Sequence, residues 1–198
     1  MPRLVLALYA LYVLLAFGWR TWLQVRRTGS SGFKGISRAG GIESLGGILL
    51  VVSLGLGVLA PLAALGGQAP PLLDSRALAA AGLALYAAGL AITLVAQVQM
   101  GASWRIGVDP TERTGLITHG LYRLARNPIY TGMCAVAVGL ALLVPNGFAL
   151  LALATLVVGL EVQVRLLEEP HLIGKHGEAY SSWAARTGRF FPALGRLR

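Results

Sequence analysis

The apolar residues of this chain come in long runs separated by short polar islands. Taken in order, the runs predict five helices, at about Leu4 to Leu23, Ile42 to Gly67, Ala77 to Met100, Ile129 to Leu143 and Phe148 to Leu167. At about 1.5 Å per residue the first is long enough to cross a hydrocarbon core of about 30 Å. No charged residue stands from Asn127 through Leu160, a run too long for one crossing. Val144-Pro145-Asn146-Gly147 carries the turn residues to split it, so the last two helices are expected as a tight antiparallel hairpin.

The polar islands punctuate this pattern. Trp19, Arg20 and Trp22 close the first run as an expected interfacial anchor, with the arginine snorkelling outward. A loop follows with Arg26, Arg27, Lys34 and Arg38 around Gly29-Ser30-Ser31-Gly32. Such a loop can cradle phosphate, but without a flanking strand and helix together a flexible connector is the simpler reading. Glu43 opens the second helix, where the macrodipole favours an acid. Gly55-Leu56-Gly57 lies inside an apolar helix and reads as a close-packing site, not a dinucleotide fingerprint. Ala69-Pro70-Pro71 breaks the chain, and Gln97 and Gln99 mark the return to polar surroundings. The inner loop from Gly101 to Asn127 holds Trp104, Arg105, Asp109, Glu112, Arg113 and His119. In the tail, Tyr180, Trp183, Phe190 and Phe191 are spaced to dip an apolar face into the interface.

Composition agrees with a single all-α, polytopic membrane domain of 198 residues. Hydrophobic residues make up 56% of the chain and charged ones 13%, more apolar surface than a soluble domain can cover. Mean hydropathy is +0.68. The net charge of +9 would suggest nucleic acid in a soluble protein, but here it reports topology. With five spans, 15 of the 17 Lys and Arg residues fall on one side and only Arg3 and Arg76 on the other. The positive-inside bias then predicts an integral protein of a prokaryotic cytoplasmic membrane, N-terminus outside and C-terminal segment cytoplasmic. No small-residue cleavage site follows the first run, so it is expected to be retained. The one cysteine, Cys134, lies in an apolar run and supports neither a disulfide framework nor a cysteine metal site.

Candidate chemistry lies in two islands. Glu161 is deep in the last span, where an ionisable group is costly, and Arg165 follows one turn later at ion-pair spacing. Glu168 falls two ideal turns after Glu161, on the same expected face. Glu168 and Glu169 form an acid pair able to bind a cation, hold an ammonium or act as acid and base. A solvated juxtamembrane pair is the bland alternative. His171 and His176 could reach a metal, but they are five residues apart with Gly174 between them, and no metal site is expected. In the first island Pro128 suits the first helical turn, whose amides would receive a negative group. Arg123 and Arg126, with the hydroxyls of Tyr122 and Tyr130, could bind a carboxylate or phosphate; alone they also read as an interfacial belt.

Together the islands carry a resemblance. Thr118-His119-Gly120-Leu121-Tyr122-Arg123-Leu124-Ala125-Arg126-Asn127-Pro128-Ile129-Tyr130-Thr131-Gly132 is followed by Glu168-Glu169, His176-Gly177-Glu178-Ala179-Tyr180 and Gly188-Arg189-Phe190-Phe191-Pro192. This ordered set resembles the isoprenylcysteine carboxyl methyltransferase family, integral membrane enzymes related to the phospholipid methyltransferases. It covers residues 76–198, and the first two spans, within 1–75, carry none of it. The resemblance implies an S-adenosylmethionine-dependent methyltransferase without a Rossmann domain, acting on a hydrophobic or prenylated small-molecule acceptor drawn from the lipid bilayer. It also implies a cofactor pocket lined by His119, Gly120, Leu121, Tyr122, Arg126, Asn127, Pro128 and Tyr130, and by His171, Leu172, His176, Gly177 and Tyr180. Arg126, Glu168 and Glu169 would stand nearest the chemistry, the arginine on the cofactor carboxylate and an acid on its ammonium. The commonest family pattern has histidine where this chain has Asn127, which can donate a hydrogen bond but carry no proton. Two other classes remain open on the residues alone: a membrane reductase using a nicotinamide cofactor, and a non-catalytic scaffold or transporter.

Overall fold

The computed structural model describes residues 1–32, 42–104 and 115–197. Lys34, Arg38, Arg105, Asp109, Glu112, Arg113, Arg198 and the side chain of Glu43 lie outside the described residues. The α-helices among the described residues are α1 (Pro2–Val13), α2 (Arg20–Thr28), α3 (Ile42–Leu65), α4 (Arg76–Met100), α5 (Pro128–Leu143), α6 (Gly147–Gln163), α7 (Glu169–His176) and α8 (Glu178–Ala184). A π-helical stretch, Leu14–Trp19, joins α1 to α2 without a break, and a second, Val164–Glu168, joins α6 to α7. The first and last expected spans are therefore longer than their apolar runs, at Pro2–Thr28 and Gly147–His176. Among the described residues there is no strand, only an isolated parallel bridge between Ala125 and Gly188.

Among the described residues four helices are long and apolar enough to cross a membrane, and Pro128–Leu143 is a shorter apolar one. The chain is an all-α polytopic membrane protein. At about 1.5 Å per residue α5 spans about 24 Å, because Pro128 starts it and the hairpin turn ends it. That turn forms as expected. Asn146 is buried, caps α6 by accepting from the Ala149 amide at 3.0 Å, and donates to the Ala60 carbonyl at 2.9 Å. Although the turn joins α5 to α6, α5 packs chiefly on α4, and α6 on α3.

Glycine explains those pairings. A Cβ on Gly82 would lie 2.7 Å from the Gly139 carbonyl, and one on Gly89 2.6 Å from the Gly132 carbonyl. Both glycines of α4 thus face both glycines of α5, seven residues apart on each helix, and the backbones meet directly. Gly46 and Gly159 play the same part between α3 and α6, at 3.1 Å from the Gln163 amide and 3.0 Å from the Leu49 Cβ. Of the expected close-packing pair, Gly57 lies under the Tyr9 ring, its Cβ position 2.9 Å from Cε2, while Gly55 has open space.

The first helix is tied to the rest by side chains. Tyr9 donates to the Leu54 carbonyl at 2.9 Å, Tyr86 to the Leu8 carbonyl at 2.7 Å, and Gln97 to the Ala16 carbonyl inside the π-helical stretch at 2.8 Å. A π turn shifts the hydrogen-bond ladder, and Gln97 takes up a carbonyl there. Around these ties lies a core of Val5, Tyr12, Ala16, Tyr86, Val136, Leu140, Leu143 and Val144. Arg20 departs from the expectation of snorkelling. Its side chain turns inward, 1% exposed, donating to Gln24 and to the Gly101 carbonyl with its guanidinium 4.7 Å from the Trp104 ring centroid. Trp19 and Trp22, on either side of it, stay exposed as an interface belt requires.

The glycine contacts make a direct prediction. Gly89→Val should lower stability by roughly 1–3 kcal/mol, because the added atoms have no room against α5. Gly55→Val should stay within about 0.5 kcal/mol, as surface changes usually do. Thermal unfolding in detergent checks both; equal losses would show that helix contact at Gly89 does not matter.

Candidate active site

The stretch from Gly120 to Gly132 folds as a 3-10 turn over Gly120–Arg123, a short bridge segment, and the start of α5. Gly120 takes φ 60°, the left-handed region that suits glycine, and the next amide, of Leu121, donates to Gln99 at 2.9 Å. Tyr122 is buried and its hydroxyl donates to the Ala96 carbonyl at 3.4 Å. Burial, and after it the charge of Glu168, raises the Tyr122 hydroxyl above its ordinary range. Arg123 points out, whereas Arg126 is buried, so the two arginines do not form one cationic site.

The C-terminal segment closes over this stretch. The amides of Arg126 and Asn127 donate to the carbonyls of Gly188 and Arg189 at 2.8 and 3.0 Å. The Asn127 side-chain amide adds a second bond to the Arg189 carbonyl at 3.2 Å, and Thr131 donates to the Phe190 carbonyl at 2.6 Å. Asn127 thus serves as a latch, a task that needs a donor but no titratable proton.

The charges behind this latch form one buried network. Glu169, 6% exposed, receives Arg126 Nη2 at 2.5 Å on one oxygen. Arg189 grips both its oxygens, Nε at 2.8 Å and Nη2 at 2.9 Å. Arg126 also donates to the carbonyls of Ala184 at 2.9 Å, Thr187 at 2.6 Å and Gly195 at 3.1 Å. The bidentate bond to Glu169 holds the Arg189 guanidinium above its ordinary pKa. Tyr180, 1% exposed, has its hydroxyl pushed up to about 12 by burial and by Glu169, with Arg126 opposing. Its ring meets Trp183 edge-on, centroids 5.6 Å apart, and being buried it does not join the expected interfacial apolar face, whereas Trp183 and Phe190 are half-buried and Phe191 and Leu194 exposed.

Glu168 takes other hydrogen bonds. Its carboxylate accepts from Tyr130 at 2.5 Å and from Gln163 at 3.5 Å. The expectation that Glu168 shares a face with Glu161 is corrected by the π-helical stretch. The Glu169 amide bonds to the Val164 carbonyl, an i to i−5 step, so two turns take about eight residues instead of seven. It is Glu169 that lines up with Glu161, and Arg189 touches both, reaching Glu161 at 3.8 Å. Pro170 has no N–H to donate to a turn at this point, which accounts for a wider turn at this place. The expected ion pair of Glu161 with Arg165 forms, at 2.5 Å.

The structure therefore joins Arg126 to Glu169 and Tyr130 to Glu168, with Tyr122 within the field of Glu168. Arg126 and Glu169 satisfy each other. Either would meet a cofactor carboxylate or ammonium only by leaving these partners. His171, Leu172 and His176 are half-buried on α7, Pro128 is the first residue of α5, and His119, Gly120 and Gly177 are exposed. Sequence reasoning assigned no role to Arg189, Thr131 or Gln163. For Arg189 a signal existed, since two adjacent acids beside an apolar span need cations and the Gly188–Pro192 motif supplies one.

Losing one partner of a buried pair costs about 3–5 kcal/mol. Glu169→Gln is therefore expected to lower the thermal midpoint well below that of Glu168→Gln. Thermal scans of the two purified variants check this, and equal midpoints would remove the structural role given to Glu169. A family profile described as phospholipid methyltransferase matches residues 77–179, just over half of the chain. A comparison with curated proteins finds no match.

Proposed function

Because this chain belongs to the phospholipid methyltransferase family, we propose that it transfers a methyl group from S-adenosylmethionine to a lipid-like acceptor at the cytoplasmic membrane face. The family and the apolar helices carry the coarser statement, a membrane methyltransferase for lipid-like substrates. One observation carries the finer one. The matched region brings the half-buried carboxylate of Glu168, two tyrosines and the first turn of α5 to one place beside the latched C-terminal segment.

That donor set suits the zwitterionic end of the cofactor. Glu168 would receive the ammonium, and the first-turn amides of α5, which lack intrahelical acceptors, would receive the carboxylate. Arg126 and Glu169 act one layer behind as a clamp that holds α7 and residues 187–195 against the start of α5. Tyr122, Tyr130 and Tyr180 wall the site and exclude water. When bound, the cofactor supplies a methyl carbon on a sulfonium, so the residues of this chain need only align the acceptor in line with that bond. An acceptor that is already an anion, such as an isoprenylcysteine carboxylate, needs no base. For an amine or thiol acceptor, His171 would be the group to take the proton, since Glu168 is engaged with the ammonium.

Calorimetry with S-adenosylhomocysteine tests the reading, with binding expected near micromolar levels. Glu168→Gln should weaken it by roughly 1.5–3 kcal/mol, the range for a hydrogen bond to a charged group. No binding by the folded wild-type chain would end the proposal. Orientation has its own measurement: a C-terminal reporter is expected in the cytoplasm, and a periplasmic one would strand the site from soluble cofactor.

A further inference from the structure

The C-terminal segment carries a second feature. Residues 188–195 form a closed loop, in which the Arg189 amide donates to the Leu194 carbonyl at 2.7 Å and the Leu194 amide to the Phe191 carbonyl at 3.2 Å. A Cβ on Gly188 would collide with the Phe191 carbonyl, and Ala193 is held at φ 65°, an uncommon conformation for a residue with a side chain. The loop therefore has a fixed shape. It nonetheless turns apolar side chains outward, with Phe191 54% and Leu194 65% exposed, and Leu124, next to the bridge of Ala125 with Gly188, is 56% exposed.

Helix α5 gives the depth of this loop. The Arg189 carbonyl accepts from the Asn127 amide at the helix start. The Phe190 carbonyl accepts from Thr131, one turn and about 6 Å further in at about 1.5 Å per residue. At about 24 Å, α5 is about 6 Å short of a hydrocarbon core of about 30 Å. With its far end at the opposite edge of that core, its first turn lies where acyl chains give way to head groups, and the loop beside it lies there too. The inner backbone of the loop suits that place. The carbonyls of five successive residues, Thr187 to Phe191, each accept a donor from within the protein.

Charge is graded along the same axis. The parallel bridge sets Arg123 abreast of Arg186, each two residues before a bridge partner, and both are exposed. The Leu197 amide returns to the Ala184 carbonyl at 3.1 Å, which brings the exposed Arg196 to the same end. No acidic residue follows Glu178 in the sequence. Arginines at the base and apolar side chains at the tip match phosphate groups lying outside acyl chains.

We propose that residues 188–195 are a membrane wedge: Phe191 and Leu194 sit at the acyl boundary of the adjoining leaflet, and Arg123, Arg186 and Arg196 lie on the phosphates of its anionic lipids. The wedge stands on the fold and not on the methyl-transfer reading.

The test uses the full chain in nanodiscs, on a Cys134→Ala background, with an NBD fluorophore on Phe191→Cys or, separately, on Leu194→Cys. The second position serves if the first variant does not fold. Phosphatidylcholine carrying a doxyl group near the head-group end of an acyl chain is expected to quench the label, and aqueous iodide to quench it little. Doxyl-labelled phosphatidylglycerol at the same mole fraction should quench about twofold more, because arginines near the surface attract anionic lipid. Arg186→Gln together with Arg196→Gln should bring the two lipids level. Iodide quenching as strong as that of the free fluorophore would overturn the wedge, and is the result an acidic protein partner on this face would give. Equal quenching by the two lipids with all the arginines present would overturn it as well. No cofactor enters the measurement, so a failed wedge is distinguishable from a failed S-adenosylhomocysteine titration.

Discussion

The polar end of this molecule depends on one buried carboxylate. Glu169 is held by Arg126 from the start of α5 and by Arg189 from the C-terminal segment, three stretches of chain far apart in sequence. An unpaired charge at that depth is costly, so any arrangement that buries Glu169 must bring both arginines with it. Their remaining donors then reach backbone carbonyls at Ala184, Thr187 and Gly195, and the segment after α8 has little freedom to lie elsewhere. The same interaction that folds the tail also walls one side of the candidate site.

Two backbone devices place that carboxylate. The π-helical stretch before Pro170 adds a residue to the turn, rotating Glu169 toward the arginines and leaving Glu168 to Tyr130. Adjacent acids thereby receive different partners, two arginines for Glu169 and Tyr130 and Gln163 for Glu168. Below them, glycine pairs bring α4 onto α5 and α3 onto α6 with no side chain between, which is how tight contact forms where lipid removes the hydrophobic driving force between helices. The hairpin of α5 and α6 is thus shared between two helix pairs.

Part of the candidate site is built outside the family-matched region. The matched region supplies Glu168, Tyr122, Tyr130, Arg126 and Glu169, while Tyr180 and Arg189 lie beyond it. Asn127 fits the same logic. A residue that latches the Arg189 carbonyl needs a donor and no charge, and Asn127 supplies one.

Much of this was legible in the sequence. The apolar runs, the Val144–Gly147 turn, Pro128 at a helix start and the grouping of charges into two islands are all local signals. They depend on side chains and dihedral preferences within a few residues. The ion pair of Glu161 with Arg165 was readable for the same reason. What the tertiary structure alone decided is which charge meets which. Arg20 turns inward onto Trp104, Arg126 onto Glu169, and Glu161 is matched in register by Glu169, not Glu168. The reason is physical: one extra residue in one helical turn re-aims every side chain after it, and the energy that selects that turn comes from partners tens of residues away.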